Sequence, residues 1–186
     1  GVRLEAEVHI VTGAATSIQN MVKCVNRAGL AVCDLVLEPL ASSFAVLSSD
    51  ERELGCALLD IGGGTTDLAI FHEDAIRFTS VIGLGGKNVT SDIAIGLRTS
   101  IEHAEKIKIE HACALKSMIP KNRTIMVPGP GEREPREVSL EMLGEIVGPR
   151  MEEIFTMARQ AMDKNGMMGV IGSGVVLTGG ASLIRG

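Results

Sequence analysis

Residues 58–71 read Leu58-Leu59-Asp60-Ile61-Gly62-Gly63-Gly64-Thr65-Thr66-Asp67-Leu68-Ala69-Ile70-Phe71, and this stretch decides the fold. An apolar run from Cys56 reaches an acid, Asp60. Three glycines, two threonines and a second acid follow, and the chain is apolar again from Leu68 to Phe71. Runs this short read as strands, and the glycine turn between them makes a hairpin. Consecutive glycines reach backbone angles closed to other residues, so successive amide N–H groups can converge on one point. Such a concavity suits a phosphate, the threonine hydroxyls add donors, and a carboxylate just before it can hold hydrated Mg²⁺ against the same phosphate. Three glycines alone fit a plain hairpin as well. Acids on both sides, in the order D-x-G-G-G-T-x-D, favour phosphate binding. The turn is not a Walker loop, because no Gly-Lys-Ser/Thr follows. It is not a dinucleotide turn either, because a strand follows rather than a helix.

Composition narrows the function classes. A chain of 186 residues with 45% hydrophobic and 22% charged residues can bury a full core. A formal charge of −5 and a pI near 5.4 argue against a nucleic-acid partner. With no Trp or Tyr and four Phe, there is little for bases to stack on. Cys24, Cys33, Cys56 and Cys113 are scattered, without C-x-x-C, and read as reduced thiols of a cytosolic protein. His9, His72, His103 and His111 lack zinc spacing, and no apolar run approaches the roughly 18 residues of a membrane span. The chain starts at Gly1 without Met and stops at Gly186 just after a glycine turn, which suggests a fragment.

Working outward, 5–12 and 30–37 read as strands around a helix capped by Ser17 and closed by Gly29, with a short helix over 40–47 and a polar break at 48–53. After the hairpin, 75–81 predicts a third strand of a meander. Gly83, Gly85 and Gly86 then lead into a helix that buries Val89, Ile93 and Leu97, its start capped by Asn88 or Thr90. A second helix is expected from Thr99 to about Leu115. The 120–135 stretch holds four of the six prolines. It reads as a short strand, 124–127, in an exposed loop with Arg123, Arg133 and Arg136 at the surface. A short helix over 139–147 precedes another that Gly148-Pro149 should open. Residues 175–177 predict a last, buried strand, ending in Thr178-Gly179-Gly180-Ala181-Ser182, a glycine turn where backbone amides can meet a ligand.

Three segments together, LLDIGGGTTD, an A-E-x-x-K at 104–108 and VVLTGGAS, resemble the actin, heat-shock chaperone and sugar-kinase superfamily, whose folds close two halves over ATP. Within it, DERELGCALLDIGGGTTDLAIF, GGKNVTSDIA, AEKIKIEHACAL and GVVLTGGASLIRG resemble the FtsA family of bacterial cell-division proteins, and the resemblance spans nearly the whole chain. It implies an α/β, actin-like ATPase (ribonuclease H-like) fold with a mixed β-sheet flanked by helices and a small inserted subdomain. Residues 1–50 are then the C-terminal part of subdomain 1A, 51–98 and 145–186 are subdomain 2A, and 99–144 are the insertion, 2B.

The resemblance further implies ATP and Mg as cofactors. Asp60 faces Mg through water, Gly62, Gly63, Gly64 and Thr65 hold phosphate oxygens, Glu105 and Lys108 reach ribose and adenine, and Gly179 and Gly180 flank the adenosine. Glu38 corresponds to a position that can orient water in some relatives, although members of the family vary there. The implied partners are the acidic C-terminal tail of FtsZ, with Arg150 and Arg136 as receiving cations, and further copies of the protein in filaments. The cytoplasmic membrane is reached through a helix outside this chain, which places the protein on its inner face at the division site. Any ATPase is slow and belongs to the full-length protein. Other actin-like ATPases stay open as alternatives: a rod-shape filament protein, a chaperone ATPase or a sugar kinase. A kinase needs a further acid as base beside a substrate cleft, and none stands unassigned.

Overall fold

The computed structural model describes residues 2–6, 8–129, 131 and 133–186. Helix α1 spans Ala15–Arg27, α2 Glu38–Val46 and α3 Ser49–Leu54, followed by strands β1 Cys56–Ile61, β2 Thr66–His72 and β3 Ala75–Ile82. Helices α4 Gly86–Gly96 and α5 Ile101–His111 come next, then strands β4 Thr124–Val127 and β5 Arg136–Ser139, the long helix α6 Leu140–Lys164, and strand β6 Val175–Thr178.

The hairpin around the glycines forms as its sequence predicts, with β1 and β2 antiparallel and Asp60 opposite Asp67. Strand β3 completes the meander, and β6 adds to the other side of β1 in parallel, giving a mixed sheet of order β3-β2-β1-β6. Because side chains alternate across a strand, β1 and β2 feed two cores. Ala57, Leu59, Ile61, Leu68 and Ile70 pack on one face with Val89, Ile93 and Leu97 of the α4 region and with α6. Leu58, Ala69 and Phe71 pack on the other face with Leu40 and Leu47 around α2. That two-sided burial explains why β1 and β2 read as continuous apolar runs. Among the described residues, β4 and β5 pair only with each other and form a separate small sheet.

Several expectations are corrected. Residues 30–37 form no strand, nor do the described residues of 5–12, from which Glu7 is excluded. Their pattern is apolar, but a strand also needs a neighbour for its N–H and C=O groups. No ladder reaches them among the described residues, and Val8, Ile10, Leu35 and Val36 stay exposed. Ser17 is not a cap; α1 begins two residues earlier, with Ala14 at its N-cap. The polar break at 48–53 contains α3, started by a capping box in which the Ser48 hydroxyl accepts from the Glu51 N–H and the Glu51 carboxylate accepts from the Ser48 N–H. Helix α5 stops at His111 rather than Leu115. Strand β6 sits at a sheet edge and leaves Val175 and Leu177 half-exposed instead of buried.

The largest correction is α6, one helix of 25 residues where two were expected, with Pro149 inside it. An internal proline costs about 3 kcal/mol by losing a hydrogen bond and crowding the preceding turn. Against this, Leu143, Val147, Met151, Ile154, Ala158 and Met162 recur at helical spacing and form one buried stripe that runs past the proline on both sides. Burial of each large side chain is worth about 1.5–3 kcal/mol, so the stripe outweighs the proline. Arg150 therefore lies mid-helix, away from any helix N-terminus.

Candidate functional site

The turn between β1 and β2 is closed by the Gly62 N–H donating to the Thr65 carbonyl at 2.9 Å. Among the described residues, the N–H groups of Gly63, Gly64 and Thr65 have no protein acceptor. Three successive amide donors thus stand open at the end of the hairpin. Backbone angle does not demand glycine here, since none of Gly62, Gly63 and Gly64 has positive φ. A Cβ on Gly64 would meet no atom within 4 Å, so the turn presents bare backbone to the space in front of it.

The loop after β3 docks onto this turn. Gly86 and Lys87 donate their N–H groups to the carbonyls of Gly62 and Gly63, both at 2.8 Å. Gly85 permits the approach, because a Cβ there would lie 2.6 Å from the Gly62 carbonyl oxygen. Its N–H donates to Asn88 Oδ1 at 2.9 Å, so Asn88 ties the start of α4 as one of the two candidates expected there. Thr90, the other, has a different part.

Asp60 stands at the end of β1, beside the turn. Its Oδ2 accepts from the Ser42 hydroxyl of α2 at 2.9 Å. Its Oδ1 lies 2.5 Å from where a Cβ on residue 179 would sit, and Gly179 has φ of 85°. Position 179 is glycine because the carboxylate and the Ile61 backbone fill the space of a side chain, a tighter constraint than the adenosine contact expected for it. Gly180 has open space at its Cβ position, and it begins a short 3-10 turn, Gly180–Leu183. Glu38 opens α2 four residues before Ser42, which places it on the helix face turned towards Asp60. It has no partner among the described residues.

On the other side of the turn, α5 supplies Glu105 and Lys108. The Lys108 ammonium is almost buried, at 10% exposure, and its three donors are all engaged. It donates to Glu105 Oε2 at 2.8 Å, to Thr90 Oγ1 at 2.9 Å and to the Gly86 carbonyl at 3.2 Å. The Thr90 hydroxyl donates in turn to Glu105. Burial acts to raise the Glu105 pKa, but hydrogen bonds from Lys108 and Thr90, with the Lys108 charge, outweigh it and hold the carboxyl below its ordinary range. A pocket of about 720 Å³ opens beside these groups, lined by Gly63, Lys87, Thr90, Glu105 and Lys108 among others. This is an ordinary size for a small-molecule cleft.

The structure thus sets Asp60 against Gly179 at the end of β1, and Glu105 and Lys108 beside a pocket that Gly63 of the glycine turn also lines. It adds Ser42 and Thr90, which the sequence alone does not mark as site residues: no motif singles out Ser42, and Thr90 reads as a helix cap. Arg150 and Arg136 lie elsewhere. Arg150 forms a two-pronged ion pair with Asp92 of α4, at 2.6 and 3.1 Å, and a further pair with Glu153. The hydrogen bond to Asp92 raises its pKa despite partial burial. Arg136 donates to the Leu97 carbonyl at 2.8 Å.

Residues 57–186 match the family model described as cell division protein FtsA. The chain belongs to the FtsA family. The FtsA of Pseudomonas aeruginosa is 53% identical over 186 residues, all of this chain and 45% of that relative. The chain therefore spans about half the length of the curated FtsA relatives it matches. Solved structures show the actin-like fold. MreB5 of Spiroplasma citri bound to ADP superposes with a TM-score of 0.77 at 21% identity, covering 93% of this chain and 56% of that one. The MamK double helical filament superposes at 0.69 and 15%, covering 94% and 55%. The mixed sheet flanked by helices agrees with that fold. Among the described residues no helix is long and apolar enough to cross a membrane, and no cluster of three potential metal ligands occurs.

Proposed function

We propose that this chain supplies one half of an ATP·Mg site in an FtsA-family protein, and that ATP closes the protein into a form that polymerises. The observation that carries the reading is the row of three open amides at Gly63, Gly64 and Thr65, with the Asp60 carboxylate held beside them by Ser42. The amides suit the terminal phosphates of a nucleotide. One carboxylate with phosphate oxygens and water is an ordinary environment for Mg²⁺, which bound there offsets phosphate charge. Asp60 orients the metal's water shell, and Ser42 fixes Asp60. Glu105 and Gly180 border the space left for ribose and base. Lys108 acts through Glu105 and Gly86, since its donors are already engaged. Glu38, one helical turn before Ser42, is proposed as the residue that orients water there. An ADP-bound neighbour of the same fold is consistent with this reading.

Residues 99–144 are proposed as inserted subdomain 2B, with 1–50 closing subdomain 1A and the remainder forming 2A. The proposed boundary at 144 falls inside α6. FtsZ tail binding through Arg150 and Arg136, filament formation, and attachment to the inner face of the cytoplasmic membrane through a helix outside this chain complete the proposal. For Arg150, an incoming acidic tail must compete with Asp92 or share the guanidinium with it.

The test is calorimetric titration of Mg-ATP into the full-length protein and its Asp60→Ala variant, with polymer sedimentation alongside. Loss of nucleotide-dependent polymer with the fold retained is expected. Normal polymerisation of the variant with Mg-ATP overturns the metal role.

A further inference from the structure

The pocket beside the glycine turn carries more cation than its own carboxylates use. Its lining includes three lysines, Lys87, Lys106 and Lys108, and two glutamates, Glu102 and Glu105. Lys106 pairs with Glu102 at 2.9 Å and Lys108 with Glu105 at 2.8 Å. Lys87 is left over. It is exposed, and among the described residues its ammonium has no hydrogen bond or ion pair. Its position is nevertheless fixed at the root, where its N–H donates to the Gly63 carbonyl at 2.8 Å. The stem lies across the bare face of Gly63, with Cε 3.6 Å and Cγ 3.9 Å from where a Cβ on that glycine would be. Lys87 also stands in the first turn of α4, where a cation opposes the helix dipole by about 0.3–1 kcal/mol. The amides of Gly86 and Lys87 already serve turn carbonyls, whereas the Lys87 ammonium is a charged donor still open beside the turn.

We infer that Lys87 is a phosphate-binding residue, a mobile-tipped cation that closes over the phosphates of a nucleoside di- or triphosphate held by the open amides of Gly63, Gly64 and Thr65. The inference rests on the nucleotide reading of this site and adds a ligand from the loop after β3. A flexible ammonium suits the task as a point charge on phosphate oxygens.

The test titrates Mg-ATP, Mg-ADP and adenosine into the full-length protein and its Lys87→Gln and Lys87→Arg variants. Lys87→Gln is expected to weaken ATP and ADP by about tenfold, with adenosine unchanged, and Lys87→Arg to retain affinity within about twofold. ATP affinity should also depend less steeply on salt in Lys87→Gln. Unchanged ATP affinity in Lys87→Gln overturns the role of Lys87 and leaves the nucleotide reading standing. An equal loss for adenosine overturns it too, in favour of a packing role. An unaltered protein that binds no ATP overturns both.

Discussion

At Asp60, two contacts divide one carboxylate between fold and chemistry. Oδ2 is held by Ser42, and Oδ1 lies against Gly179, so the group cannot swing without disturbing α2 or the turn after β6. Asp60→Asn keeps a similar shape and should leave unfolding free energy within about 1 kcal/mol while weakening Mg-ATP. Gly179→Ala is harsher. It places a methyl 2.5 Å from both Asp60 Oδ1 and the Ile61 carbonyl oxygen at φ of 85°, and should cost about 1–3 kcal/mol in a denaturant titration. Lys108→Met leaves Glu105 and the Gly86 carbonyl short of a donor, and a loss of about 1–3 kcal/mol is expected by the same measurement. Glu105 also sets a pH dependence. Its folded pKa lies below the ordinary 4.5, so its contribution is fully present above that value and is lost as pH falls through the folded pKa. The stability gap between the parent and Glu105→Gln should shrink on acidification below about pH 4. A gap constant across that window removes Glu105 from the account.

At the scale of elements, α6 and the capping of α3 show what sequence reading weighs too lightly. Pro149 reads as a helix start because the first position tolerates it, yet the apolar stripe from Leu143 to Met162 spans the proline without a change of phase. Tertiary burial overrode a local rule. Pro149→Ala should therefore raise stability, by up to about 3 kcal/mol in chemical denaturation, because it restores a backbone donor on an exposed side of the helix. In α3 the pattern Ser48-x-x-Glu51 was plain in the sequence but hidden by a polar stretch without an apolar face. The hairpin, β3 and the buried face of α4 were legible because each depends on residues close in sequence. The docking of Gly86 and Lys87 onto Gly62 and Gly63, and the engagement of Lys108 by Gly86, were not, since they join groups more than twenty residues apart whose pairing no periodicity reports.

Over the whole molecule, stability is divided unevenly. Cys56–Ile61 and Thr66–His72 are buried from both faces of the sheet, whereas α1 has no buried residue and the described residues before Pro39 are mostly exposed. The described residues of 5–12 and 30–37 form no strand for this reason: their sequences carry the apolar pattern, but pattern cannot supply the neighbouring strand. In hydrogen exchange on residues 1–186, amides before Pro39 should exchange early except for those bonded inside α1, and β1 and β2 last. Protection at 30–37 equal to that of β1 would mean that a ladder does form there.

Helix α6 has a mechanical consequence. It starts against β5 and the turn at Lys116–Met118 and ends against the turn at Met167–Val170, so one rod of 25 residues, about 37 Å long, joins the small sheet to the large one. A lever of that length converts a tilt of about 5° at its far end into about 3 Å of travel at its near end. Its weakest cross-section is at Pro149, where one backbone hydrogen bond is missing and Gly148 lies close to the Ala114 carbonyl. Bending concentrated there would let the small sheet swing while the stripe beyond Met151 stays seated, and a stiffer rod would transmit the same tilt undiminished.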